Sequence, residues 1–187
     1  MTARRITMLP HDPAWARRFP GEARRLLEVF AGVVLDVHHI GSTAVPGLVA
    51  KPILDMMVVV RGLDGVDAAR PAAEAAGYRW LGEHGIAGRR YLTRDGGAEA
   101  DVHVHTFAVG DPNVERHLDF RDYLLCHTEH AARYGRLKRD LAERYATDRV
   151  AYTDAKTAFV RETEALARAW RRSVADGGSG ESGATLT

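Results

Sequence analysis

The feature that most constrains this 187-residue chain is a single carboxylate set in an apolar run, Ile53-Leu54-Asp55-Met56-Met57-Val58-Val59-Val60. A short, β-branched, nearly continuous apolar segment of this kind predicts a strand buried on both faces. An acid in such a strand is costly to bury alone. Asp55 therefore calls for a hydrogen-bond set, a basic partner or a metal.

The rest of the chain supplies the frame. A helix is expected over 13–31, with Asp12 as N-cap and Pro13 in its first turn, and Pro20-Gly21 is expected to kink or split it. Strands are expected over 33–40, 53–60, 78–81, 89–93 and 98–107, with 41–51 as a turn-rich loop. The Asp95-Gly96-Gly97 turn makes a hairpin of the last two strands. An alanine-rich helix is expected over 64–77, capped by Asp64 and stopped by Gly77. From Pro112 onward the periodicity becomes helical, over 113–128, 131–146 and 148–172. The reading is an α/β (α+β) chain: a mixed sheet core over 1–110, a helical part over 111–173 packed on it, and a disordered Gly/Ser-rich tail over 174–187.

Bulk charge narrows the function classes. Twenty-six Lys and Arg against 25 Asp and Glu leave a formal charge of +1, so no global field points to nucleic acid or an acidic membrane surface. Most of those cations are Arg, which suits phosphate or carboxylate contacts with a small anionic molecule. One cysteine, Cys126, forms no intrachain disulfide, and the apolar runs are too short to span a bilayer, so a cytoplasmic protein is expected. Oligomeric state is not legible.

Two constellations carry chemistry. In the first, a strand ends at Gly41-Ser42-Thr43, a loop follows through Lys51, and the next strand carries Asp55. Glycine lets backbone N–H groups and hydroxyls come close to a phosphate, although Gly-Ser also serves as a plain turn. In the second, period two puts Asp101, His103 and His105 on one strand face. That face can bind a divalent cation or phosphate, relay a proton, or simply meet solvent. A zinc-binding cupin or amidohydrolase barrel does not suit a half-helical chain of this length.

The run His39-Ile40-Gly41-Ser42-Thr43-Ala44-Val45-Pro46-Gly47-Leu48-Val49-Ala50-Lys51-Pro52-Ile53-Leu54-Asp55 closely resembles the signature of the GrpB family. Gly88-Arg89-Arg90-Tyr91, His103-Val104-His105, Phe120-Arg121-Asp122-Tyr123-Leu124, Tyr134-Gly135-Arg136-Leu137-Lys138 and Tyr152-Thr153-Asp154-Ala155-Lys156 are similar as well. The resemblance extends from about residue 10 to about residue 170. It implies a nucleotidyltransferase-type fold, with Gly41 and Ser42 cradling a triphosphate, Asp55 as the first metal carboxylate and Asp101 as the third. It also implies Mg2+ or Mn2+ held by Asp55, Asp101 and His103. Thr43, Lys51, Arg90, Arg121, Lys138 and Lys156 are candidate phosphate contacts. Catalytic roles would fall to Asp55, Asp101, His103 and His105.

One departure stands out. Met57 occupies the place of the second metal carboxylate, and methionine sulfur is a poor ligand for Mg2+. Either His103 or His105 substitutes, a single metal binds, or that catalysis is absent. Two functions follow as expectations: an enzyme transferring a nucleotidyl or phosphoryl group to a small acceptor, and a non-catalytic nucleotide- or anion-binding accessory domain. The resemblance adds a loose link to coenzyme A metabolism.

Overall fold

The structure, a computed structural model, describes residues 5–97 and 101–177. The apolar run becomes β2 (Ile53–Val60), with β1 (Val34–Ile40) antiparallel on one side and β5 (Asp101–Ala108) parallel on the other. Antiparallel β4 (Arg90–Arg94) and β3 (Arg79–Trp80) complete a five-stranded sheet in the order β1-β2-β5-β4-β3. A mixed α+β architecture results, as the sequence predicts.

The apolar run is continuous because both its faces are covered. Leu54, Met56, Val58 and Val60 join Leu92, Val102 and Val104 under α1 (Ala14–Val29), α2 (Leu63–Ala68) and α3 (Arg70–Ala75). Met57 and Val59 point the other way, with Ile40 and Phe107, and α4 (Pro112–Cys126) covers them through Val114 and Leu118. Each such side chain contributes about 1.5–3 kcal/mol of apolar burial. Two further helices, α5 (Thr128–Arg144) and α6 (Arg149–Gly177), stand beside α4.

Several local details differ from expectation. Pro20 lies inside α1 without splitting it; both Pro20 and Ala16, whose carbonyl loses its usual partner, are exposed to water. Pro13 takes the N-cap place expected of Asp12, which sits one residue earlier and still accepts from the Ala14 N–H at 2.8 Å. The alanine-rich helix is two short helices, because Pro71 brings no N–H and forces a break at Ala69. Asp64 lies in the first turn of α2 without capping it. Residues 98–100, expected to open the last strand, lie outside the described residues. Helix α6 continues to Gly177, so the first residues of the expected tail are helical and 178–187 lie outside the described residues.

The helical half shares a core with the sheet's loops. Val45 and Leu48 pack against Leu124, Ala131 and Tyr134. Upstream of α1, the Ile6 N–H donates to the Ala146 carbonyl, and Leu9 pairs with Ala50. Among the described residues no helix is long and apolar enough to cross a membrane.

Candidate functional site

The site forms where β1 ends and β2 and β5 begin to separate from the helical half. Asp55 stands opposite Ile40 on β1 and His103 on β5. Gly41 follows with φ +70° and ψ −169°, a conformation that favours glycine. A Cβ on Gly41 would fall 2.5 Å from Asp55 Oδ2 and 2.9 Å from Asp55 Cβ. The missing side chain thus makes room for the Asp55 carboxylate itself.

Asp55 remains 29% exposed. His103 Nδ1 lies 3.6 Å and His105 Nε2 3.7 Å from its Oδ1. Burial alone would raise the carboxyl pKa, but the imidazoles of His105 and His103, with Lys51, outweigh it and hold the group below its ordinary value. The Arg89 guanidinium sits 3.2 Å from His105 Nδ1. A guanidinium can only donate, so Nδ1 accepts and a neutral ring carries its proton on Nε2, facing Asp55. His103 Nδ1 lies 2.8 Å from the Tyr91 hydroxyl, and His84, at φ +44°, stacks on Tyr91 with centroids 4.9 Å apart.

Three lysines surround this acid. Lys138, only 3% exposed, donates to Ser42 Oγ at 2.7 Å and to the Val49 carbonyl. Lys51 and Lys156 lie 5.2 and 5.4 Å from the centre of the Tyr152 ring. Burial depresses all three, and the charges of Lys156 and Lys51 add to it at Lys138, which is pushed down to about 7. With Asp55 as its acid, this chamber encloses about 390 Å3. It adjoins a second chamber of about 420 Å3, with Asp55, His105, Tyr134, Thr153 and Lys156 as shared wall.

Of the residues expected in the site, Gly41, Ser42, Lys51, Asp55, His103, His105, Lys138 and Lys156 come together here. Thr43 is at the edge but spends its hydroxyl internally: it accepts from His39 Nε2 and donates to the Ile53 carbonyl. Asp101 shares the sheet face of Asp55 but pairs with Ile53, two positions from the expected side-by-side register and about 6–7 Å along the strand. It accepts from the Gly96 N–H and lines a separate cavity with Arg79 and Arg149. Arg90 turns to the opposite face of the sheet, where Asp67 takes it in a two-pronged ion pair. Arg121 is held by Asp122 and the His39 carbonyl, pinning α4 to the end of β1. Arg89, rather than Arg90, reaches the site. Period two from Tyr91 carries that signal, since Tyr91 and Arg89 share a face.

The donor set does not fit a two-metal centre. Among the described residues no three His, Cys, Asp or Glu side chains are grouped to hold a metal ion. Met57 is sealed in the core facing α4, and among the described residues lining this chamber Asp55 is the one carboxylate.

Fold and site together define a mixed α+β protein with a lysine-rich cleft where its central parallel strand pair meets a helical half. The pattern of the GrpB protein family matches residues 5–166, and the chain belongs to that family. It is 38% identical over 169 residues to the UPF0157 protein YqkA of Bacillus subtilis, covering 90% of this chain and 49% of that one, so it spans about half the length of that relative. It is 36% identical over 167 residues to the UPF0157 protein SCO7215 of Streptomyces coelicolor, covering 89% and 87% of the two chains. The crystal structure of conserved protein GrpB from Enterococcus faecalis superposes with a TM-score of 0.82 at 37% identity, covering 88% of this chain and 99% of that one.

Proposed function

We propose that the first chamber binds the phosphate chain of a nucleotide or another phosphorylated small molecule. The observation that carries this reading is the convergence of Lys51, Lys138 and Lys156 on one carboxylate, with all three pKa values depressed. Buried cations in excess of their acids lack a counter-charge, and a phosphate chain supplies it. A transferase reading draws on the Arg89–His105–Asp55 chain, but among the described residues the two-metal route has no second carboxylate beside Asp55, and no step is assigned to a metal.

The test is a thermal-unfolding panel of nucleoside triphosphates, pyrophosphate and dephospho-coenzyme A, each with and without Mg2+ or Mn2+. A ligand at one hundred times its Kd adds about 2.7 kcal/mol, a shift of about 5–10 °C for a domain of this size. That shift is expected with at least one phosphorylated ligand and is expected to vanish in Lys156→Met. Silence across the whole panel would remove the proposal. Pyrophosphate release that depends on metal and is lost in Asp55→Ala would establish the transferase.

The lysines also set a pH dependence. Lys138 titrates near 7 in the empty site, and a bound anion favours its charged form. Binding therefore draws a proton onto the site above pH 7, and affinity is greatest below that value. Sulfate keeps its own charge throughout this range. Its affinity, measured by calorimetry, is expected to fall as pH rises from 6.5 to 8.5, by up to about tenfold per pH unit for one lysine. An affinity that stays flat or rises would contradict the placement of the anion on Lys138.

A further inference from the structure

The second chamber differs in character from the lysine-lined one. Ile40, Ile86, Phe120 and Val160 give it an apolar lining, and Thr157 on α6 faces it without lining the first chamber. Its ion pair, Arg116 with Glu164 at 2.7 Å, is internally neutral. On the shared wall Lys156 faces Asp55, so among the described lining residues the charge left over is that of Arg89.

Arg89 is 5% exposed and has no carboxylate partner among the described residues. It donates to the Glu83 carbonyl, the His84 carbonyl and His105 Nδ1, which uses three of the five N–H groups of a guanidinium. The Tyr91 ring, 4.6 Å away, offsets part of the charge. A buried guanidinium with N–H groups to spare matches the two oxygens of a carboxylate.

His117 adds a further polar group. Its Nδ1 lies 2.6 Å from the Asn113 carbonyl, which can only accept, so Nδ1 donates. Burial lowers the ring's pKa to about 4, leaving Nε2 an acceptor.

We propose that the second chamber is a binding site for a small monocarboxylate with an apolar or aromatic body, its carboxylate on Arg89. A phosphate chain suits it less, because one guanidinium balances one charge and the lining is apolar. At about 420 Å3 the chamber lies in the range of small-molecule pockets. The site stands independently of what occupies the first chamber, although the common wall sets the two ligands side by side.

Phenylacetate is the probe, phenylacetamide its uncharged counterpart, and calorimetry on the full chain the readout. Phenylacetate is expected to bind saturably with a Kd below about 1 mM, and the amide at least about tenfold more weakly. Because Arg89 also holds the loop before β4, the key variant is Thr157→Phe, which fills the chamber and leaves Arg89 in place. It is expected to abolish phenylacetate binding and preserve stabilisation by pyrophosphate, whereas Lys51→Met does the reverse. Equal affinity for acid and amide, unchanged binding in Thr157→Phe, or absence of binding to the wild type would each overturn the assignment. Phenylacetate binding with silence across the whole phosphorylated panel would support this site while sinking the phosphate reading of its neighbour.

Discussion

Gly41→Ala is expected to destabilise the protein by about 3 kcal/mol or more and to eliminate anion binding. Two costs combine. An alanine held at φ +70° with ψ near 180° sits in a region reserved largely for glycine, which costs about 1–3 kcal/mol. Its methyl group would also overlap Asp55 at both Oδ2 and Cβ. The carboxylate cannot simply rotate away, because Asp55 Cβ is itself too close and belongs to a strand paired on both sides. Denaturant unfolding read beside the thermal-shift panel checks both parts of the expectation. A variant as stable as the parent, with ligand shifts intact, would show that Asp55 and Gly41 are not in this contact.

The paired substitution Lys51→Met and Lys156→Met is expected to do the opposite to stability and the same to binding. Both ammonium groups are disfavoured by burial, and at Lys51 the charge of Lys156 is the next cause. Methionine keeps much of the stem against Tyr152 and removes the charge, at the loss of two cation–π contacts of about 0.5–1 kcal/mol each and of the attraction of both ammonium groups to Asp55, which stays partly exposed and flanked by His103, His105 and Lys138. Relief of repulsion and desolvation is expected to exceed that loss, raising Tm by about 2–4 °C per kcal/mol gained. Affinity for pyrophosphate is expected to drop about 100-fold or more, since each charge-assisted contact is worth about 1.5–3 kcal/mol. Such a trade of stability against binding marks residues kept for a ligand. A lower Tm with undiminished affinity would identify the lysines as structural.

Much of the frame is legible in the residues because its signals are local. The β2 run reads as a strand buried on both faces, and β1, the start of α1 and the three C-terminal helices announce themselves by periodicity and capping. What misleads is whatever depends on neighbours in space. Pro20 is tolerated because its side of α1 faces water, whereas Pro71 divides a helix whose alanines favour continuity. The family motif draws attention to Arg90, yet strand alternation from Tyr91 selects Arg89. Asp101 keeps the expected face and misses the expected register, since register is fixed by pairing along the whole of β5. Gly41 is needed, but the group pressed against it comes from the protein's own strand.

The shared packing of Val45 and Leu48 with Leu124 and Tyr134, and the ties from Ile6 to Ala146 and Leu9 to Ala50, bear on how any ligand gets in. Swinging the helices off the sheet would tear an apolar seam and break the strap of residues 6–9 either at Ala146 or at Ala50. The cost of parting the two halves therefore bears on every ligand that enters the cleft, and side-chain rearrangement is the cheaper route in.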